Sequence, residues 1–157
     1  MNFTKHCAVA GGLLAALALA ACGSASDSPA PRTKLSTAEI ARLPQFEIKA
    51  RSGPVPTELE VRDVRKGSGA VARPGDTFLL DWAEVSYGKP LEASPHREGQ
   101  PQNLAFDNML AGWEQGMPGM RVGGRRELIV PPRLGDLPTT MVYQIDLLAI
   151  ERPGAQG

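Results

Sequence analysis

The chain has 157 residues, 42% of them hydrophobic and 22% charged, with 17 Lys and Arg against 17 Asp and Glu. That composition suits one ordinary globular domain. The balanced charge leaves no electrostatic basis for a nucleic-acid partner.

The first 22 residues stand apart. Lys5 and His6 precede a nearly unbroken apolar run from Cys7 to Ala21. It is shorter than the roughly 20 residues of a comfortable transmembrane helix and has the layout of a secretory signal. The run ends in "LAAC", Leu19 to Cys22, which resembles the bacterial lipobox. That resemblance predicts a lipoprotein signal peptide over 1–21, acylation of the Cys22 thiol, and an extracytoplasmic protein anchored to a membrane through lipid. An ordinary signal peptide cut near Ala21 is the alternative. Removing 1–21 takes away Lys5 and Cys7, so the cleaved chain carries 17 − 1 = 16 basic against 17 acidic residues, a formal charge of −1. One cysteine and one histidine, His96, then remain. They exclude an intrachain disulfide and leave too few members for a triad or a His/Cys metal site. No metal or cofactor is expected.

From Gly23 to about Arg32 the sequence is mainly Ser, Ala and Pro, which reads as a flexible tether. "STAEIARL", Ser36 to Leu43, has capping-box spacing between Ser36 and Glu39, and Pro44 stops any helix there. Residues 22–45 are therefore assigned to the lipidated cysteine and its tether, 46–153 to the folded domain, and 154–157 to a C-terminal tail. Within the domain, "ELEVRDV" (58–64) alternates with Leu59, Val61 and Asp63 on one side. "TFLLDWAEV" (77–85) places Phe78, Leu80 and Trp82 on one face at period two. Leu110, Trp113 and Met117 fall at i, i+3, i+7, one face of a short helix, which Pro118 ends. "RRELIVPP" turns Leu128 and Val130 inward, and its Arg125–Arg126 doublet reads as a solvated strand end rather than a phosphate site. "MVYQIDLLAI" sets Met141, Tyr143, Ile145 and Leu147 on one face and Gln144 and Asp146 on the other.

Three runs, in this order, resemble the FKBP-type (tacrolimus-binding) peptidyl-prolyl isomerases. They are "GSGAVARPGDTFLLDW" (67–82), "GWEQGMPGMRVGGRRELIVPP" (112–132) and "MVYQIDLLAIE" (141–151). The resemblance covers about Pro56 to Glu151. It implies an α+β fold, an antiparallel five-stranded sheet wrapped around one short helix. It also implies proline-containing polypeptides and tacrolimus-like ligands as partners, with Trp113 as the floor of the proline pocket. Trp82, Glu92, Leu110, Trp113 and Tyr143 take the catalytic positions by the same resemblance, the Leu110 backbone N–H facing the substrate carbonyl. Leu91, Arg97, Met109, Asp136 and Leu137 take the substrate-binding positions. Such a pocket needs no acid, base or nucleophile. It lowers the about 18–20 kcal/mol barrier of an X-Pro amide by stripping water from it and gripping the ring.

The pattern departs from the family at several places. Trp82 stands for a tyrosine, Leu91–Glu92 for Phe-Asp, Gln102 for an aromatic wall residue, Met109–Leu110 for Val-Ile, and Tyr143 for phenylalanine. After Pro132, the long flap of the family is replaced by "RLGDLPTTM", and Asp136 aligns with the tyrosine that usually holds the substrate carbonyl. A carboxylate there favours a basic residue beside the proline. Two functions fit these residues. One is a weak isomerase assisting the folding of exported proteins at the membrane surface. The other is a catalytically inactive peptide- or protein-binding lipoprotein on the same fold.

Overall fold

The computed structural model describes residues 30–90, 101–152 and 154. The cleavage and lipidation segment up to Cys22, and the site positions Leu91, Glu92 and Arg97, lie outside the described residues. Five strands form one antiparallel sheet: β1 (Glu60–Arg65), β2 (Thr77–Ser86), β3 (Gln102–Ala105), β4 (Arg125–Val130) and β5 (Met141–Glu151), in the order β1-β4-β5-β2-β3. Two short helices accompany them, α1 (Thr37–Ala41) and α2 (Ala111–Gly116). The five-stranded antiparallel sheet is the one expected, with α1 as an addition.

The alternations predicted for the middle strands hold. Phe78, Leu80, Leu128, Val130, Tyr143 and Ile145 are all buried in one core with Trp113 and Met117. The register between β2 and β5 shifts between Leu79 and Leu80, so that Leu79 faces Ala149 while Leu80 faces Leu147. This bulge inserts one residue and flips the phase of β5. Leu148 and Ile150 thereby join the same core as Ile145 and Leu147. The edge strand β1 behaves differently. Val61, expected inward, is 48% exposed, because no helix covers the sheet edge; Leu59 alone of that stretch packs on the core.

The glycines around Trp113 have a packing reason. A Cβ on Gly112 would lie 2.6 Å from Val130 Cγ1, and one on Gly116 would lie 2.6 Å from Leu128 Cδ2. Four residues apart, the two glycines form one bare face of α2, which presses directly onto β4. The opposite face then turns Trp113 toward the concave side of the sheet. Gly119, at φ 82°, takes the left-handed conformation that ends this segment.

Residues 33–48, most of which the sequence assigns to a tether, are packed. Leu35 N–H donates to the Leu148 carbonyl and Ile150 N–H to the Thr33 carbonyl, at 2.9 and 2.7 Å, so this segment pairs β5 beyond the end of β4. The α1 capping box forms as predicted: Glu39 N–H donates to Ser36 Oγ, and Ser36 N–H donates back to the Glu39 carboxylate. Those Ser36 donors, then Arg32, hold the Glu39 carboxyl down to about 2. Further on, Phe46 and Ile48 cover the convex face of the sheet together with Ala83, Ile129 and Val142. Gln144 fixes this strap by accepting from Glu47 N–H at 3.2 Å and donating to the Glu47 carbonyl at 2.8 Å. Of the residues assigned to the tether, Leu35 has no helix or strand period around it yet finds a buried site, while Phe46 and Ile48 are buried within the assigned domain. Burial of each contributes about 1.5–3 kcal/mol.

The strap also overturns the reading of the arginine doublet. Arg125 is 3% and Arg126 8% exposed, so neither is solvated. Arg125 forms a two-pronged pair with the fully buried Asp146 at 2.8 and 2.5 Å and donates to the carbonyls of Pro44 and Gln45. Arg126 pairs with Asp63 at 2.7 Å and donates to the Gly116 carbonyl at the end of α2. Both cations close the gaps between sheet, helix and strap, and their charges are matched inside.

Candidate functional site

The concave side of the sheet carries a cleft of about 340 Å³ lined by Trp82, Glu84, Gln102, Leu104, Asn108, Met109, Leu110, Trp113, Asp136, Leu137 and Tyr143. Its floor is built by three elements. α2 presents Trp113, β2 presents Trp82, and β5 presents Tyr143. The Trp113 ring meets Trp82 at 5.4 Å and 83°, and Tyr143 at 5.3 Å and 82°. Both contacts are edge-to-face, each worth about 0.5–1.5 kcal/mol beyond the area buried. Trp113 is thereby held upright between two rings and cannot swing into the space above it.

Polar groups here are few and specific. The Trp113 indole N–H is buried and has no acceptor among the described residues. A buried donor left unmet costs about 1–3 kcal/mol, which an apolar core position would avoid. Leu110 serves as N-cap of α2, its carbonyl accepting from Trp113 and Glu114 at 2.8 and 3.0 Å. Its own N–H donates to no partner among the described residues. That free donor stands at the mouth of the cleft, where the resemblance sets a contact with a substrate carbonyl. The Tyr143 phenol is pushed above the ordinary tyrosine range by burial first, then by the Glu84 and Asp136 carboxylates. It therefore stays protonated and acts as a neutral wall. Among the described residues no three His, Cys, Asp or Glu side chains gather in a way that would hold a metal ion.

Seven of the ten site positions named from the sequence come together in this cleft: Trp82, Met109, Leu110, Trp113, Asp136, Leu137 and Tyr143. The expected donation from the Trp82 indole to Glu92 falls on a residue outside the described ones, as do Leu91 and Arg97. Three lining residues, Glu84, Leu104 and Asn108, were not placed at the site, and Gln102 was placed there only as standing for an aromatic wall residue. Glu84 had a signal, since it extends the period-two stripe of Phe78, Leu80 and Trp82 by one step. Gln102 and Leu104 lie on β3, whose four residues "QNLA" carry no alternating apolar pattern. They reach the cleft only through pairing with β2, Gln102 opposite Leu80 and Leu104 opposite Phe78.

The arrangement offers an aromatic floor and, at Leu110, a backbone donor with no partner among the described residues. Residues 72–136 match the family model described as FKBP-type peptidyl-prolyl cis-trans isomerase. The chain is 36% identical over 117 residues to a protein of Corynebacterium glutamicum named "Probable FK506-binding protein", covering 68% of this chain and 97% of that one. It is 34% identical over 119 residues to the FK506-binding protein of Streptomyces anulatus, covering 66% and 95%. Among solved structures it is similar to FkpA of Escherichia coli, with a TM-score of 0.53 at 25% identity, over 61% of this chain and 49% of that one.

Proposed function

Since this chain belongs to the family of FKBP-type peptidyl-prolyl cis-trans isomerases, we propose that it accelerates cis–trans exchange at X-Pro bonds of exported polypeptides while tied to a membrane surface through lipid on Cys22. The observation that carries the catalytic reading is the aromatic floor formed by Trp113 between Trp82 and Tyr143. A planar amide is more polar than its twisted form, so water favours the planar state. A prolyl ring seated on three aromatic faces loses that water. The Leu110 N–H then holds the neighbouring carbonyl in place while the C–N bond turns, and binding favours the twisted state.

The expected rate is low. Gln102 and Asp136 line the cleft where the family resemblance sets aromatic side chains, and each missing aromatic contact removes about 0.5–1.5 kcal/mol. Two such losses lower the rate by about one to two powers of ten. The test is NMR exchange spectroscopy on a short Leu-Pro or Phe-Pro peptide at high enzyme concentration. Exchange faster than in the peptide alone is expected. Unchanged exchange would leave the second reading, a peptide-binding module, which the polar residues Gln102 and Asp136 favour; a proline-mimicking ligand such as tacrolimus would still shift the fluorescence of Trp82 and Trp113.

The anchor rests on "LAAC" and the apolar run before it. Two acyl chains hold a protein on a membrane durably, whereas one holds it only marginally. In a detergent phase separation, the full-length chain is expected with the detergent and the Cys22→Ser variant with the water. Equal partition of both would sink the lipoprotein assignment, along with the surface location.

A further inference from the structure

The floor of the cleft is apolar, but its rim is acidic. Glu84 follows Trp82 on the same face of β2 and sits opposite Tyr143 in the ladder with β5. Asp136 reaches the same wall from the connection between β4 and β5, and both carboxylates line the cleft. The buried carboxylates of this fold each hold an arginine: Glu127 with Arg51 and Arg62, Asp146 with Arg125 and Arg65, Asp76 with Arg152. Glu84 and Asp136 are instead exposed at the cleft rim. Neither has an ion-pair partner among the described residues, and no Lys or Arg of those residues lines the cleft. The indole N–H of Trp113, whose side chain lines the same cleft, is buried and has no acceptor among the described residues. Both carboxylates raise the Tyr143 phenol, so their field reaches the wall that a bound segment would touch.

We propose that Glu84 and Asp136 together select proline segments that carry a lysine or arginine beside the proline, the cation settling at the acidic rim while the ring rests over Trp113. This deepens the proposed function and rests on the cleft being the place where proline segments bind. Rim charges of this kind set specificity and encounter rate more than raw affinity. Exposed pairs are individually weak, and the two carboxylates together are expected to give a preference of about three- to tenfold. It weakens with salt, because the screening length falls from about 10 Å at 0.1 M to about 3 Å at 1 M.

The experiment uses the full-length chain and two series of short peptides, with Lys, Ala or Glu placed either before or after the proline. NMR exchange rates and Trp fluorescence titrations are measured at low and at high salt, for the unaltered protein, Glu84→Gln, Asp136→Asn and the double variant. A Lys-over-Glu preference of about three- to tenfold is expected in at least one series, reduced in each single variant and collapsed to near unity in the double variant and at 1 M salt. A preference that survives the double variant overturns the proposal, as does its absence from the unaltered protein. If no peptide exchanges faster than it does alone but the Lys peptide still binds more tightly, the isomerase reading fails and the acidic rim stands. If exchange is accelerated equally for all three, the rim fails and the isomerase reading stands.

Discussion

Trp113→Phe will keep the fold and lower kcat/KM by about tenfold, while Trp113→Ala will both abolish measurable acceleration and destabilise the domain by about 3–5 kcal/mol. The two variants separate two roles that one side chain carries. As a core residue, Trp113 packs between Trp82 and Tyr143 in the main core, and truncation leaves a cavity. As a floor, it supplies a broad ring held by edge contacts with Trp82 and Tyr143 at 5.4 and 5.3 Å. Phenylalanine fills much of the volume but loses ring area and the indole N–H. If the indole acts on the twisted amide rather than on substrate binding alone, kcat falls more than KM rises. NMR exchange rates and thermal melts on the same samples decide this. A Trp113→Phe protein with unaltered exchange would remove Trp113 from the catalytic machinery and leave it a packing residue.

Arg125→Ala is expected to destabilise the protein by about 3–5 kcal/mol, and so to lower Tm by about 10 °C or more. The substitution strips the two-pronged partner from Asp146, which is fully buried. Arg65 remains at 3.0 Å from Asp146 but meets only one of its oxygens. The same substitution frees the Pro44 and Gln45 carbonyls and removes the guanidinium that stacks 4.2 Å from the Phe46 ring. The strap would therefore loosen along with the ion pair. Arg133→Ala provides the contrast: its pair with Glu58 is exposed on both sides, and less than about 1 kcal/mol is expected. Urea and thermal unfolding of both variants read the difference. Equal destabilisation would mean that Arg125 does not clamp the strap to the sheet.

Much of the fold was legible because its signals are local. The stripe Phe78, Leu80, Trp82 declares a half-buried strand within five residues, and Ser36 with Glu39 declares a helix start within four. Leu110, Trp113 and Met117 at i, i+3, i+7 declare one face of a short helix. Seven of the ten named site positions converge on the cleft; these come from the family resemblance rather than from periodicity. Two features misled. The Arg125–Arg126 doublet looks solvated in any local window, because the Asp146 and Asp63 that neutralise it are brought in by other strands. The stretch 33–45 looks like a tether because its buried residue, Leu35, stands without a helix or strand period.

What the chain's own residues dictate is therefore four of the strands and the short helix, since each depends on repeats of two or of three to four positions, while the aromatic floor was legible through the family resemblance. Long-range packing settles the rest: that β3 exists at all, that Glu84 shares a rim with Asp136, and that two arginines are interior. Those outcomes depend on which surfaces meet across about 20 to 80 positions of chain, and nearest neighbours in sequence carry no record of charge or shape at such a distance.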